Sequence, residues 1–313
     1  MIDVLILTNE LDFSADRVIH QLRNYKSDIN IVRINREDLR TADRFTTSLD
    51  QSGWLIEQIP KVTWLRQILP ERNTFRNSPS VKEVDDILVK RRQWLAWLDI
   101  FEEMGTNWMN VPSKTHYAES RIRQMSLANR LGFEVPKTMI TCSREDAIEF
   151  VSQFEQCIVK ALATAFWEFS DQSFMFTVDA GQAIAADAKS WASQPVIVQE
   201  HIQGSYDARL LYVDGRIMGA SRPRTSLDWR TSSEISWSRW TPGRDIMMKT
   251  SQYMETFGLS YGAFDFILES QKHLGPVFLE CNPSGEFGFM DELLCSEPSQ
   301  SIAQNLLKKS SRH

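Results

Sequence analysis

The chain has 313 residues, 42% of them hydrophobic, with ten Trp and seventeen Phe, and a formal net charge of −6. That length favours two or three compact units sharing a site, and so much apolar material with an ordinary charged fraction argues against disorder. The acidic balance argues against a nonspecific nucleic-acid binder, whose affinity comes from Lys and Arg displacing counterions.

The opening MIDVLILTNELDF carries Asp3 and Glu10 around a short apolar run, unlike the basic start and longer apolar core of a signal peptide. No stretch has the length of a membrane span. Ile2 to Leu7 reads as a buried parallel strand, Ser14 to Leu22 as a helix and Ile29 to Ile34 as a second strand. TNELDFSAD stands where a dinucleotide site would need GxGxxG, so a Rossmann-like unit without NAD is expected.

Further strands are expected at Phe45 to Leu49, Trp54 to Gln58 and Lys61 to Ile68 (KVTWLRQI), followed by a loop with Pro70 and Pro79. From Val84 to Met104 the residues Val84, Ile87, Leu88, Leu95, Leu98 and Phe101 recur at helical spacing, with Gly105 as the stop. The run Lys90, Arg91, Arg92 on this helix reads as a solvated face. Residues 1–107 form the first expected unit.

The second, 108–195, contains a helix from Ala118 to Leu131 ended by Gly132, a strand at Val135 to Ile140 and a helix opened by Ser143 with Asp146 three residues on. Strands at Cys157 to Leu162 and Phe174 to Val178 complete it. The third, 196–313, runs from the strand VIVQEHI through a hairpin turning at Asp214-Gly215, a pair suited to a type I′ loop. A helix at Asp245 to Phe257 leads to strands Ala263 to Leu268 and Val277 to Glu280.

Cys142, Cys157, Cys281 and Cys295 form no CxxC pair, which fits reduced thiols in a cytosolic protein with neither zinc nor disulfides. His20, His116, His201, His273 and His313 lack metal-ligand spacing, and none is assigned to catalysis.

The chemistry lies in charges set within apolar strands. Asp265 in GAFDFIL and Glu280 in VFLECNPSG would each cost several kcal/mol, in order of magnitude, if buried without a partner. Strand alternation puts Glu280 and Asn282 on one face and lets Asp265 converge with them. Either neighbouring Arg or Lys neutralises the carboxylates, or a hard cation such as Mg²⁺ takes the three oxygen donors. Lys160 in CIVKAL is similarly open: its stem snorkels to water, or a phosphate offsets its charge.

Asp265 followed by Glu280-Cys-Asn282-Pro-Ser-Gly resembles the carboxy-terminal signature of ATP-grasp ligases. The resemblance implies an α/β (α+β) fold with an N-terminal Rossmann-like pre-ATP-grasp domain, ATP as cofactor, and Mg²⁺ held by Asp265, Glu280 and Asn282. It gives Lys160 contact with the α-phosphate and adenine, and makes Gln199, Glu200, His201 and Ile202 the adenine hinge, with a nearby carboxylate on the ribose. In YDARLLYVDG, similar to the family's DxRxxxVxG strand, Asp207 and Arg209 would face the nucleotide, Arg209 stabilising charge on the transferring phosphate. Three positions depart from the pattern. Arg121 replaces the usual lysine but can still pair with phosphate, Tyr206 stands where a lysine is frequent, and the loop ALATAFWEFSDQ lacks phosphate-cradling glycines.

SLDWR, with Arg230, resembles one branch of the family, the graspetide or microviridin-type maturases. KVTWLR, NWMNVPSKTHYAESRIRQMSLANRLGFEVPKTMIT, YGAFDFI and FLECNPSGEFGF extend the resemblance over nearly the full length. It implies a cytoplasmic homodimer acting on a precursor peptide with a leader, and neither nucleic acid nor membrane. Asp or Glu side chains of that peptide would be activated as acyl phosphates and joined to Ser or Thr hydroxyls or Lys amines, with Arg230 on the acyl phosphate or substrate carboxylate. The competing expectations are a ligase adding free amino acids to a carboxylate, and a nucleotide-binding regulator without turnover.

Overall fold

The structure, a computed structural model, describes residues 2–35, 48–50, 53–55, 59–66, 74–75, 105–162, 168–169, 177–185, 195–225, 236–270 and 272–311, with residue 191 and part of the stretch 89–103. Strand β1 (Val4–Thr8) leads into helix α1 (Phe13–Tyr25), and β2 (Ile31–Asn35) returns parallel to β1. Asp12 starts α1 by accepting the Ala15 amide, satisfying a donor that the first turn leaves without a helical partner. A hairpin of β3 (Ser48–Asp50) and β4 (Gly53–Leu55) precedes β5 (Val62–Leu65), which flanks β1 in parallel on its other side. After β6 (Thr74–Phe75) comes α2, described at residues 95–100, and Gly105 follows with φ 71°.

Strand β7 (Asn107–Trp108) completes a sheet of order β2-β1-β5-β7. Alternation divides its side chains. Leu5 and Leu7 pack with Leu65, Leu98 and Trp108, whereas Val4 and Ile6 pack with Val62, Trp64 and the α1 residues Ala15, Val18 and Leu22. The β-α-β opening is as expected from sequence. The Pro70 and Pro79 loop and residues 84–88, 90, 91, 94, 101 and 104 of the expected helix Val84 to Met104, Lys90 and Arg91 among them, lie outside the described residues.

Helices α3 (Pro112–Ala118) and α4 (Arg121–Arg130) precede β8 (Thr138–Thr141), α5 (Arg144–Val151) and β9 (Cys157–Ala161). Strand β10 (Glu168–Phe169) pairs with β6, and β11 (Thr177–Asp179), α6 (Ala180–Ala185) and β12 (Val196–Glu200) follow. The second sheet is antiparallel, in the order β11-β9-β12-β8. Ala147 and Phe150 of α5 and Ala180 of α6 pack on Cys157, Val159 and Val198, leaving Lys160 and Gln199 on the other face.

The third sheet holds β13 (Tyr206–Val213), β14 (Arg216–Pro223), β15 (Ser238–Trp240), β16 (Tyr261–Leu268) and β17 (Val277–Asn282), in the order β15-β14-β13-β16-β17. The turn between β13 and β14 has Asp214 at φ 45° and Gly215 at φ 94°, the two positive angles of a type I′ loop. Helix α7 (Arg244–Phe257) and α4 cover one face through Leu127, Tyr253, Met254 and Phe257, packed on Leu210, Phe264, Phe266 and Phe278. On the opposite face Leu211 and Val213 meet Ile302, Ala303 and Leu306 of the last helix, α9 (Glu297–Ser310), which follows α8 (Gly288–Leu293). Two and four residues before Leu211, that face becomes charged at Arg209 and Asp207.

Strand pairing runs across the expected boundaries at 107/108 and 195/196. Asn107–Trp108 is one strand of the first sheet, so a cut there divides it. Val196–Glu200 pairs with β8 and β9 and belongs to the second sheet, not the third. Helix α4, expected in the second unit, is buried against the third sheet, and α9 packs against α1. Strand pairing and helix docking are decided by which apolar faces meet in space, and sequence order does not carry that information.

Candidate active site

Arg209 lies opposite Asp265 across β13 and β16, and Asp265 lies opposite Glu280 across β16 and β17, with Ala263 opposite Asn282. Paired residues share a face, so one surface of the sheet presents Arg209, Asp265, Glu280 and Asn282 together. Arg209 Nε and Nη2 donate to the two Asp265 oxygens at 2.8 Å each, and Nη1 donates to the Glu286 carbonyl at 3.0 Å. Burial works against the charge on Arg209, but Asp265, with Glu280 and Tyr261 adding, holds the guanidinium pKa above its ordinary value. Arg209 is thus the protein's own partner for the Asp265 carboxylate.

Asp265 and Glu280 are like charges directly across a ladder, an unfavourable pairing unless cations flank it. Arg209 serves Asp265, and Arg121 Nη2 stands 3.8 Å from Glu280 Oε2. The donors fit a hard cation. All are oxygens, each Asp265 oxygen bound by Arg209 keeps a second lone-pair direction, and the Glu280 and Asn282 side chains reach solvent. Among the described residues no group of three His, Cys, Asp or Glu forms a metal cluster. Here the third donor is an amide, and Asn282 Oδ1 accepts the Ser284 amide at 3.1 Å, opening the turn that follows β17.

Lys160 Nζ donates to Gln199 Oε1 at 2.9 Å, and Gln199 Nε2 donates to Thr138 Oγ1 at 2.9 Å. Burial pushes the Lys160 pKa down to about 8, with Glu280 opposing and Arg121 and Arg224 adding to the shift. Glu280, Arg121 and Arg224 are thus the charges that act on Lys160. Arg121 ties the two sheets together, since its Nη1 also donates to the Ala161 carbonyl of β9 at 2.7 Å.

The side chains of residues 199–202 point in different directions. The His201 amide and Nδ1 both pair with Gln156, its Nε2 lies 3.3 Å from Arg224 Nη2, and burial followed by Arg224 holds its pKa down. Ile202 is buried against Ile267 and Val277, and its carbonyl accepts Arg224 Nη1 at 3.0 Å. Asp207 Oδ1 lies 3.8 Å from Arg224 Nε. Glu200 alternates with Gln199, so its side chain shares the face of Val196 and Val198, where Oε2 meets the Lys137 amide at 3.4 Å. The structure therefore does not bring that carboxylate to Lys160. Arg230 lies outside the described residues, as does most of the glycine-free loop.

Three residues join the site without having been singled out in the sequence. Arg224 links Ile202, His201 and Asp207 from the position just after β14. Asn110 and Gln124 secure the two strands of the carboxylates through their amides. Asn110 Nδ2 donates to the Tyr261 and Pro283 carbonyls at 2.8 and 3.0 Å, and its Oδ1 accepts the Ser260 and Tyr261 amides. Gln124 exchanges bonds with the Cys281 carbonyl and amide at 2.7 and 3.1 Å. A buried amide three residues from Leu127 was the available signal for Gln124.

No family model and no curated protein matches the chain. Solved structures do. The RiPP-associated ATP-grasp ligase of Chryseobacterium gregarium, in complex with ADP and a leader and core peptide, superposes with a TM-score of 0.79 at 20% identity, over 99% of this chain and 97% of that one. The chain has the ATP-grasp fold. Macrocyclase MdnC of Microcystis aeruginosa, bound with precursor peptide MdnA, gives 0.76 at 21% identity over 97% and 99% of the two chains. The ATP-grasp ligase PsnB, complexed with a phosphomimetic variant of minimal precursor, Mg and ADP, gives 0.75 at 18% identity over 99% of each. At these identities the likeness is one of fold, and it spans the three larger sheets. Among the described residues no helix is long and apolar enough to cross a membrane.

Proposed function

We propose that the chain is an ATP- and Mg²⁺-dependent ligase that joins Asp or Glu side chains of a ribosomal precursor peptide to Ser or Thr hydroxyls, as ω-esters, or to Lys amines, as ω-amides. One observation carries this: in an ATP-grasp fold, Asp265, Glu280 and Asn282 share a face with Arg209, within electrostatic reach of Lys160 and Arg121. Neighbours of that fold were solved with ADP and with leader, core or precursor peptides, and the sequence resemblance points to the same branch.

In this assignment Lys160, Arg121, Asp207 and the segment 199–202 hold the nucleotide. Asp265, Glu280 and Asn282 hold Mg²⁺, which when bound supplies charge neutralisation on the phosphates. A substrate carboxylate oxygen attacks the γ-phosphorus and ADP leaves. A hydroxyl or amine then attacks the acyl carbon, loses its proton, and phosphate leaves. Arg209 stabilises charge on the transferring phosphoryl group and Arg230 orients the acyl phosphate, so the protein contributes position and field without a nucleophile of its own. The enzyme acts as a cytoplasmic homodimer, with the leader bound away from the nucleotide.

Mass spectrometry of a precursor peptide encoded beside the gene, incubated with enzyme, ATP and Mg²⁺, tests this. Ring formation removes one water per ring. A mass increase by an amino-acid residue would assign the chain to ligases of free amino acids, and an unchanged mass without ADP release would make it a regulator.

A further inference from the structure

Arg66 closes the KVTWLR segment at the end of β5 and is 4% exposed. Its guanidinium divides its donors between two parts of the molecule. Within the first sheet's unit, Nε and Nη2 meet the Asp12 carboxylate at 3.1 and 3.2 Å, and Asp12 caps α1 and accepts the Thr8 hydroxyl. Toward the third sheet, Nη1 donates to the Ser284 and Gly285 carbonyls at 3.2 and 3.1 Å, and Nη2 to Glu286 Oε1 at 2.6 Å. Its Cζ lies 5.2 and 5.5 Å from the ring centroids of Trp64 and Phe287. Ser14 Oγ donates to the other Glu286 oxygen at 2.7 Å.

The segment so held begins two residues after Asn282, and the Glu286 carbonyl is the acceptor for Arg209 Nη1. A continuous series of contacts thus runs from the cap of α1 through Arg66 and Glu286 to Arg209 and Asp265. A buried ion pair alone is weak evidence for a stabilising role, because desolvation offsets much of its attraction. A planar fork set against two carboxylates and two carbonyls specifies direction as well as charge, which an ammonium cannot reproduce.

We propose that Arg66 is a positioning residue: by fixing residues 284–286 it sets the orientation of Arg209 and Asn282, so that docking of the first unit determines the geometry of the metal and phosphate site. This rests on the function proposed above. The test compares wild type with Arg66→Lys and Glu286→Gln, the latter at a half-exposed carboxylate. Hydrogen exchange at residues 284–287 is measured in the ligand-free proteins, and the Mg²⁺ concentration that half-saturates ADP binding is measured by calorimetry.

Arg66→Lys is expected to raise both the exchange rate and the half-saturating Mg²⁺ by about tenfold, and Glu286→Gln by about threefold. Lower melting temperatures with unchanged exchange and Mg²⁺ dependence would make Arg66 a clamp for stability only and overturn the proposal. Should Arg66→Lys fail to fold, Glu286→Gln decides on the same two readouts. Wild type that binds no ADP with Mg²⁺ would instead refute the proposed function.

Discussion

Arg209 and Asp265 face each other on neighbouring strands and close a two-point ion pair, 2.8 Å at each contact, with the two residues 3% and 9% exposed. The pair joins the arginine assigned to phosphate and a carboxylate assigned to Mg²⁺ into one rigid unit. The orientation of the guanidinium is fixed before substrate arrives, which is the condition under which a charged donor lowers a barrier.

Arg209→Ala leaves Asp265 buried without its partner and is expected to cost about 3–5 kcal/mol of folding stability, measured by denaturant unfolding. ADP formation should fall on the order of 10²–10³-fold. Arg209→Lys keeps the charge but not the fork, and should recover stability more than turnover. Wild-type turnover in either variant would remove Arg209 from the phosphate site.

Nucleotide affinity should depend on the protonation of Lys160. Burial, with Arg121 and Arg224 adding and Glu280 opposing, lowers its pKa from 10.5 to about 8. The ligand-free folded state is therefore penalised below about pH 8, where the ammonium is charged, and the penalty disappears as pH rises toward 10.5. A phosphate favours the ammonium, so ADP affinity should fall about tenfold between pH 7 and 9, with proton uptake on binding. Titration calorimetry in buffers of different ionisation enthalpy measures both effects. Lys160→Gln should bind more weakly with little slope, and an equally steep slope in that variant would assign the titration to another group.

What was readable in the sequence follows from how local each signal is. The β1-α1-β2 opening and the Asp214-Gly215 hairpin depend on periodicity and turn residues within a dozen positions, and both form as expected. Asp265 and Glu280 were conspicuous because charge in an apolar strand is costly; alternation placed Glu280 with Asn282, and the register of β16 against β17 brings Asp265 to the same face. Their partners were less accessible. Arg209 is 56 positions from Asp265, and Arg66 is 220 from Glu286. Val196–Glu200, read from sequence as the start of the third unit, pairs with β8 and β9, because an isolated strand does not declare its neighbours. Arg224 passed without a role because an arginine at a strand end reads like any solvated charge.

Gln124 satisfies the backbone of Cys281, between Glu280 and Asn282. Gln124→Leu keeps the volume but leaves a buried amide and carbonyl unpaired, at about 1–3 kcal/mol for each group. The melting temperature should drop and half-saturating Mg²⁺ should rise together. A lower melting temperature with unchanged Mg²⁺ dependence would show that the strand holds its donors without this clamp.

The proposed reaction is tested most directly by the fate of one oxygen atom. A precursor peptide with ¹⁸O in its Asp and Glu carboxylates, incubated with enzyme, ATP and Mg²⁺, should transfer one labelled oxygen to phosphate for each bond formed. That oxygen attacks the γ-phosphorus and departs with the phosphate when the hydroxyl or amine displaces it. Mass spectrometry should find singly labelled phosphate matching the water lost from the peptide, and neither product with Glu280→Ala. Unlabelled phosphate accompanying ring formation would contradict carboxylate activation by phosphoryl transfer.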